Sequence, residues 1–317
     1  MESLDNQIIV SIQCLAYNHA PYIRQCLDGF VMQKTNFRFE AIVHDDASTD
    51  GTQDIIREYE KKYPDIIKPI YQKENQYSKG ISGYITNLVT QKSKGKYIAL
   101  CEGDDYWTDP LKLQKQVDYL EANPDYGMVY SGHRRYIQKE NRFVEGKNVS
   151  QDFKDLLVSN KIATHTVLFR SYLRLNYEKD IRPIANRHKW QMDDTPLWLY
   201  ITAHSKTKYM PEIMGVYRQL ENSASHFTSY EKDCDFWISH YDMSLFFAKK
   251  YNAPVELQQK IVLDEIEFLI GMARSYKENL HLPFYRLLKD NGLFTAKRYI
   301  SCKMRSTTWG RRLYSLL

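Results

Sequence analysis

Along the first 130 residues, short apolar runs alternate with stretches whose apolar positions recur every three or four residues. Residues 8–15 form an apolar-rich run ending in a polar turn, which predicts a buried strand. Ile23, Cys26, Leu27, Phe30 and Val31 then fall at helical spacing. Residues 39–43 predict a second strand, ending in His44-Asp45-Asp46. Ser48-Thr49-Asp50 supplies a capping signal for a helix that carries Ile55, Ile56, Tyr59 and Tyr63 and stops at Pro64. A third strand is expected at 66–71, a helix at 82–91, and a fourth strand at 96–101, ending in Glu102-Gly103-Asp104-Asp105. Pro110 opens a helix with Leu113, Val117 and Leu120 on one face, and 128–136 reads as a further strand.

Strand–helix repeats of this length predict an α/β fold built on a mostly parallel, doubly wound sheet. Ligands of such sheets bind at the carboxyl ends of the strands, where both acidic clusters fall. Residues 137–225 are mixed, with a strand expected at 163–170, a helix at 195–203 and strand-like segments at 207–217. From 229 the pattern is helical, and Val262, Ile266, Leu269, Ile270 and Ala273 share one apolar face. The expected organisation is an α/β domain over 1–225 followed by a helical extension over 226–317.

Charge adds one feature. The net charge is +5, but the segment from Leu293 onward carries Lys297, Arg298, Lys303, Arg305, Arg311 and Arg312 and no acid. Without these six cations the chain has 38 basic against 39 acidic residues. A basic tail that also holds Trp309, Tyr314, Leu316 and Leu317 suits peripheral contact with an anionic membrane surface. Basic charge confined to a tail argues against nucleic acid as a partner. The five cysteines form no CxxC pair, which suits reduced, buried thiols. No secretory signal opens the chain, and no apolar run approaches the ~18 residues that span a bilayer. The expected location is cytoplasmic, with peripheral contact on the inner face of a membrane.

The chemistry concentrates at the strand ends. Glu102, Asp104 and Asp105 crowd three carboxylates into four residues, where like charges repel unless something positive lies among them. A hard divalent cation, Mg²⁺ or Mn²⁺, satisfies such a set with one or two carboxylates plus substrate phosphates. Gly103 lets backbone approach a ligand closely. Asp45 and Asp46 can accept hydrogen bonds from a base or ribose, while Ser48 and Asp50 are expected to cap the next helix. Tyr17, in Ala16-Tyr17-Asn18, can present its ring to a base. The same turn lacks the glycines of a dinucleotide fingerprint, and no Gly-Lys-Ser/Thr of a P-loop occurs in the chain.

Taken in order, Tyr17-Asn18, the Asp45-Asp46-Ala-Ser-Thr-Asp-Gly-Thr run and the Glu-Gly-Asp104-Asp105 cluster resemble glycosyltransferase family 2 over roughly residues 8–225. The resemblance implies the GT-A fold, with a nucleotide-sugar half over about 1–130 and an acceptor half over about 131–225. It implies that Ala16, Tyr17, Asn18, Asp45 and Asp46 hold the nucleotide. The later cluster stands for the DxD-type motif that binds metal and diphosphate. Glu102 occupies that motif's first acidic place, a departure that leaves Asp104 and Asp105 as the firmer ligands. Similar enzymes carry an acidic pair before a helix whose second member is the base. That implies Asp194 as catalytic base, with Asp193 as the alternative. Tyr217-Arg218 and Ser223-Ala224-Ser225-His226 resemble the end of the family's catalytic domain. By that likeness Arg218 meets a phosphate, His226 is a metal ligand or diphosphate contact, and His165 lines the acceptor side.

The implied activity is inverting transfer of a sugar from a nucleotide diphosphate sugar, by family likeness a UDP-sugar, to a hydroxyl of a glycan or lipid-linked acceptor in surface polysaccharide synthesis. Two rivals share the fold. A nucleotidyltransferase would need a glycine-rich basic loop after the first strand, which residues 16–22 do not provide. A non-catalytic scaffold or nucleotide-sugar-binding protein should have lost its carboxylates, and the clusters remain.

Overall fold

The computed structural model describes residues 7–80, 83–147, 149–220, 230–276 and 284–307. It divides into two units, Met1–Arg187 with Asp193–Ser223, and His188–Met192 with Ala224–Leu317.

The first unit begins with β1 (Ile8–Ala16), α1 (Ile23–Val31), β2 (Arg38–Asp45), α2 (Thr52–Lys62), β3 (Ile67–Tyr71), α3 (Tyr84–Lys92) and β4 (Tyr97–Leu100). Strands β1, β2 and β4 are buried on both faces, which is why they read as nearly continuous apolar runs. Ile23, Cys26, Leu27 and Phe30 turn one face of α1 into the core formed with Val10, Ile12, Ala41, Val43 and Ala99. The unit continues with β5 (Tyr106–Trp107), α4 (Lys112–Ala122), β6 (Tyr126–Ile137), β7 (Arg142–Glu145), α5 (Phe153–Val158), β8 (Val167–Arg170), α6 (Ser171–Asp180), α7 (Arg182–His188), α8 (Thr195–His204) and β9 (Lys206–Gln219).

The strands join in one sheet in the order β3-β2-β1-β4-β8-β6-β9-β5, with β7 on β6. The expectation of a mostly parallel sheet holds for β3, β2, β1 and β4. Beyond them β8 runs antiparallel to both β4 and β6, β9 runs parallel to β6, and β5 runs antiparallel to β9, so the whole sheet is mixed. The predicted strand at 163–170 shortens to β8, because residues 164–166 form a single tight 3-10 turn. Strand order reverses between β1 and β4, so a crevice opens at their carboxyl ends, beside that of β2.

The second unit contains α9 (Tyr230–Lys250), α10 (Val255–Tyr276), α11 (Phe284–Asp290) and α12 (Ala296–Ser306). Val262, Ile266, Leu269 and Ile270 of α10 bury the predicted apolar face against Phe284, Leu288, Leu293 and Cys302. The side chain of Ala273, expected on that face, lies outside the described residues. His188 Nδ1 and Trp190 Nε1 lie 2.8 and 2.7 Å from Asp242 Oδ2, fixing the short His188–Met192 stretch to α9. Part of the basic tail is therefore an ordered helix. Arg305 pairs with Glu267 through both carboxylate oxygens, at 2.7 and 2.5 Å. Arg311, Arg312, Trp309, Tyr314, Leu316 and Leu317 lie outside the described residues. No helix among the described residues is long and apolar enough to cross a membrane.

Phe30 joins this core to the acidic loop, since its fully buried ring meets Trp107 edge-on at 5.0 Å. Phe30→Ala is expected to lower the unfolding free energy by about 3–5 kcal/mol. A urea titration checks this as a fall in midpoint at constant slope.

Candidate functional site

The turn after β1 is sewn to the turn after β2. Ala16 accepts from the Asp46 amide at 2.9 Å. Asn18 takes a left-handed φ of 54°, which asparagine tolerates. Its amide donates to Ser48 Oγ (2.9 Å) and its Oδ1 accepts from the Thr49 amide (2.9 Å). The His19 amide donates to Thr52 Oγ1 (2.8 Å) and the Ala20 amide to Asp50 Oδ2 (2.9 Å). Ser48 was expected to cap α2, and here the structure differs. The helix begins at Thr52 after Gly51, which has a φ of 96° and no capping side chain. Ser48 instead serves the β1 turn, and Asp50 divides its oxygens between that turn and Thr52. Tyr17 stands 45% exposed on this platform.

The two aspartates of the first cluster differ in what they have left to offer. Asp46 receives the Gln76 amide on Oδ1 (2.8 Å) and the Tyr77 amide on Oδ2 (2.9 Å), so it holds the segment after β3. Asp45 is fully buried; its Oδ2 accepts from the Ser48 amide (3.0 Å) and Gln53 Nε2 (2.6 Å). Its Oδ1 is buried without a partner, an acceptor suited to a base N–H.

The second cluster follows β4. A Cβ at Gly103 would stand 2.8 Å from His19 Nδ1 and 3.0 Å from Ile23 Cδ1, so only glycine fits there. Its amide donates to Leu15 O (2.9 Å), tying the loop to β1. Beneath it, Cys26 Sγ lies 3.4 Å from Glu102 O and 4.0 Å from Cys14 Sγ, and Cys101 is also buried. Burial pushes the Cys26 thiol well up and the Cys101 thiol to about 11.

Asp104 and Asp105 face opposite ways. Asp105 is buried. Its Oδ1 accepts from the Arg218 amide at 2.7 Å, and its Oδ2 lies 3.2 Å from His165 Nδ1, a close approach short of an aligned hydrogen bond. Burial, then Asp104, pushes the Asp105 carboxyl well above the ordinary range, against the opposing Arg218 amide. Asp104 is half-buried, and its carboxylate makes no hydrogen bond to another described residue. Burial raises the Glu102 carboxyl well above its usual value, followed by the charges of Asp105, Asp104 and Asp194. Asp194 therefore shares one electrostatic neighbourhood with the cluster, although 90 residues separate them in sequence.

Arg218 sits behind the cluster. Its Nε donates to Asp104 O (2.9 Å), Nη1 to Gln138 Oε1 (2.8 Å) and Nη2 to Gln25 Oε1 (2.6 Å). The guanidinium lies 4.9 Å from the Tyr22 ring centre and 5.4 Å from those of Tyr106 and Tyr136. His165 is fully buried at the back of Asp105, where Trp107 Nε1 donates to its carbonyl at 2.7 Å. The residue expected on the acceptor side thus exposes no surface of its own. Burial, then Lys112, takes its pKa to about 3, so the ring is neutral.

Asp194 heads α8. Its Oδ1 accepts from the Thr195 amide (2.6 Å) and Oδ2 from Thr164 Oγ1 (3.3 Å). Burial raises its pKa despite these bonds. Asp193 Oδ1 is paired with Arg182 Nη1 at 2.6 Å. His226 lies outside the described residues. The arrangement brings together Ala16, Asn18, Asp45 and Asp46 on one side and Glu102, Asp104, Asp105, Arg218 and Asp194 on the other. It adds His19, whose pKa burial lowers against the charges of Asp104, Asp50 and Asp45, so its ring stands among both acidic clusters. Its sequence signal was only adjacency to Asn18.

Among the described residues no three His, Cys, Asp or Glu side chains form a ready metal cage. A Mg²⁺ or Mn²⁺ ion shared with phosphates needs only one or two carboxylates. Asp104, whose carboxylate has no hydrogen-bond partner among the described residues, fits that donor set with Glu102.

The model of the family described as glycosyl transferase family 2 matches residues 11–182. The chain belongs to glycosyltransferase family 2. An uncharacterized protein of Mycobacterium tuberculosis is 34% identical over 72% of this chain, and the match spans 63% of that relative's length. A putative teichuronic acid biosynthesis glycosyltransferase of Bacillus subtilis, TuaG, is 27% identical over 68% of this chain and 81% of its own. Among solved structures, Staphylococcus aureus TarS 1–349 with UDP-GlcNAc has a TM-score of 0.60 at 17% identity, covering 94% of this chain and 84% of that one. Pyrobaculum calidifontis mannosyltransferase PcManGT with GDP-Man and Mn²⁺ has a TM-score of 0.58 at 17% identity, covering 98% and 86%. The family 2 chain thus has the GT-A fold of these glycosyltransferases.

One buried cation underlies the site in this family 2 chain. Lys112 is fully buried; its Nζ donates to Gln116 Oε1 (2.7 Å) and stands 4.3 Å from the Trp107 ring centre. Burial lowers its pKa from 10.5 to about 7. Between those values the unfolded chain holds a proton that the folded chain has released, so this group makes stability rise with pH across that window. Lys112→Met removes the dependence. The melting temperature of the variant relative to the parent is expected to fall between pH 6 and pH 9; a constant difference in calorimetry contradicts the assignment.

Proposed function

We propose that the protein transfers a sugar, with inversion, from a nucleotide diphosphate sugar to a hydroxyl of a glycan or lipid-linked acceptor in polysaccharide synthesis. The supporting observation is that the charges of Asp104, whose carboxylate makes no hydrogen bond to another described residue, and of Asp194, which heads α8, both act on Glu102. The UDP-GlcNAc of TarS and the GDP-Man of PcManGT favour a nucleotide-sugar donor, and TuaG's name favours a polysaccharide product. We take a UDP-sugar as the donor class.

Tyr17 and Asn18 form the platform for the nucleotide, and Asp45 Oδ1 accepts a base N–H. Asp104, with Glu102, holds a divalent cation, which when bound neutralises the diphosphate leaving group. Asp105, buried and held by the Arg218 amide, fixes the cluster's orientation. Arg218 lends positive charge from behind to the diphosphate side. Asp194 takes the proton from the acceptor hydroxyl as that oxygen attacks the anomeric carbon. One displacement inverts that centre and needs no enzyme nucleophile. Asp193, paired with Arg182, is the weaker candidate for base.

The outward face of α12 carries Lys297 and Ile300 next to exposed Phe294, which supports peripheral contact with an anionic membrane surface near a lipid-linked acceptor. Cosedimentation with vesicles containing phosphatidylglycerol, lost in high salt, checks this; equal recovery with neutral vesicles contradicts it.

Turnover of a nucleotide-sugar panel, with Mn²⁺ or Mg²⁺ and again with chelator, tests the main reading. One donor should be hydrolysed or transferred, and only with metal. Asp104→Ala should abolish this activity. Asp194→Asn should lower turnover by ~10²–10⁴-fold while retaining nucleotide binding. Its activity in the wild type should rise with pH along a limb above the ordinary carboxylate range, because burial raises the Asp194 pKa. Full activity of Asp194→Asn would remove it as base. Absence of metal-linked binding to every donor would favour a scaffold.

A further inference from the structure

Arg182 opens α7 and is nearly buried. Its guanidinium touches three separate segments. Nε and Nη2 approach Glu178 Oε2 and Oε1 of α6 at 3.0 and 3.2 Å. Nη2 also donates to Thr86 Oγ1 of α3 at 3.3 Å, and Nη1 donates to Asp193 Oδ1 at 2.6 Å. The Tyr177 ring lies 5.1 Å from its centre. A Cβ at Gly83, where φ is +74°, would stand 2.5 Å from Arg182 Nε, so the start of α3 lies flush against the guanidinium. Arg174 Nε, 2.9 Å from Glu178 Oε1, helps hold the shared carboxylate.

These contacts connect both halves of the reaction. The start of α3 follows the segment whose Gln76 and Tyr77 amides bind Asp46, on the nucleotide side. Asp193 immediately precedes Asp194, and among the described residues only Arg182 bonds its side chain. The chain departs from the first unit at His188 and returns at Asp193, so the returning end needs an anchor of its own. Asp193 is 42% exposed, so the pair is not required merely to bury that carboxylate.

We propose that Arg182 is a positioning residue: it holds Asp193, and so the Asp194 turn, in register with the donor-side start of α3. The inference rests on the reading of Asp194 as base. A general base displaced by about 1 Å loses on the order of 10²-fold in rate, so loosening this anchor should act on turnover rather than on nucleotide affinity.

The test uses the full chain, UDP with Mn²⁺ as the binding probe, and Mn²⁺-dependent turnover of a UDP-sugar panel. Arg182→Gln is expected to lower kcat by ~10–100-fold while the UDP dissociation constant stays within about threefold. Asp193→Asn should reproduce the loss, and the double variant should be no worse than either single one, since both remove the same contact. Arg182→Lys keeps the charge without the fork and should recover part of the rate. It also serves as the reading if Arg182→Gln does not fold. An unchanged kcat in Arg182→Gln or Arg182→Lys overturns the proposal, as do multiplicative losses in the double variant. So does a loss confined to UDP binding. Asp194→Asn separates the two ideas. If it is inactive while Arg182→Gln is normal, only the positioning role falls; if Asp194→Asn is fully active, the base assignment falls first.

Discussion

Four carboxylates, those of Glu102, Asp104, Asp105 and Asp194, occupy one end of the sheet, and the surrounding structure is organised around their mutual repulsion. Burial and like charge raise Glu102 and Asp105 well above their ordinary values. The protein relieves one of them internally: Asp105 turns inward to the Arg218 amide, and β9 must reach β5 for that amide to arrive. The guanidinium of the same residue is enclosed by three tyrosines and two glutamines, which keeps a positive charge behind the cluster. The Asp104 carboxylate receives no such bond from the other described residues, which leaves the two neighbours in unlike surroundings.

The turns after β1 and β2 follow a different principle. There Asp46 and Asp50 bind backbone amides that are distant in sequence. Asp46 holds the segment after β3, and Asp50 holds the turn after β1. Rigidity at this end comes from short polar bonds between loops, while the apolar core lies one layer below, around Phe30 and Trp107.

Much of this was legible in the chain itself, for identifiable reasons. Strands β1, β2 and β4 are buried on both faces, so they appear as apolar runs, and their carboxyl ends carry the acidic clusters as adjacent letters. Strand β5 has two residues and no period to detect. Ser48 suited a helix cap equally well in sequence, and only the proximity of Asn18 decided otherwise. Lys112 is of a type that normally points to water, yet it lies on the buried face of α4 over Trp107. Arg182 reaches Asp193 and Thr86, 11 and 96 residues away, and His165 approaches Asp105, 60 residues away, separations at which a single sequence carries no signal.

The three thiols under the acidic loop have a practical corollary. Cys14, Cys26 and Cys101 come from β1, α1 and the end of β4, and all are buried and free. With the ionisation of Cys26 and Cys101 suppressed by burial, those two are poor nucleophiles while the fold is closed. A thiol-modifying reagent can therefore reach them only when the floor of the site opens. The rate at which these sulfurs are alkylated becomes a native clock for breathing of that floor, with no probe introduced into the molecule.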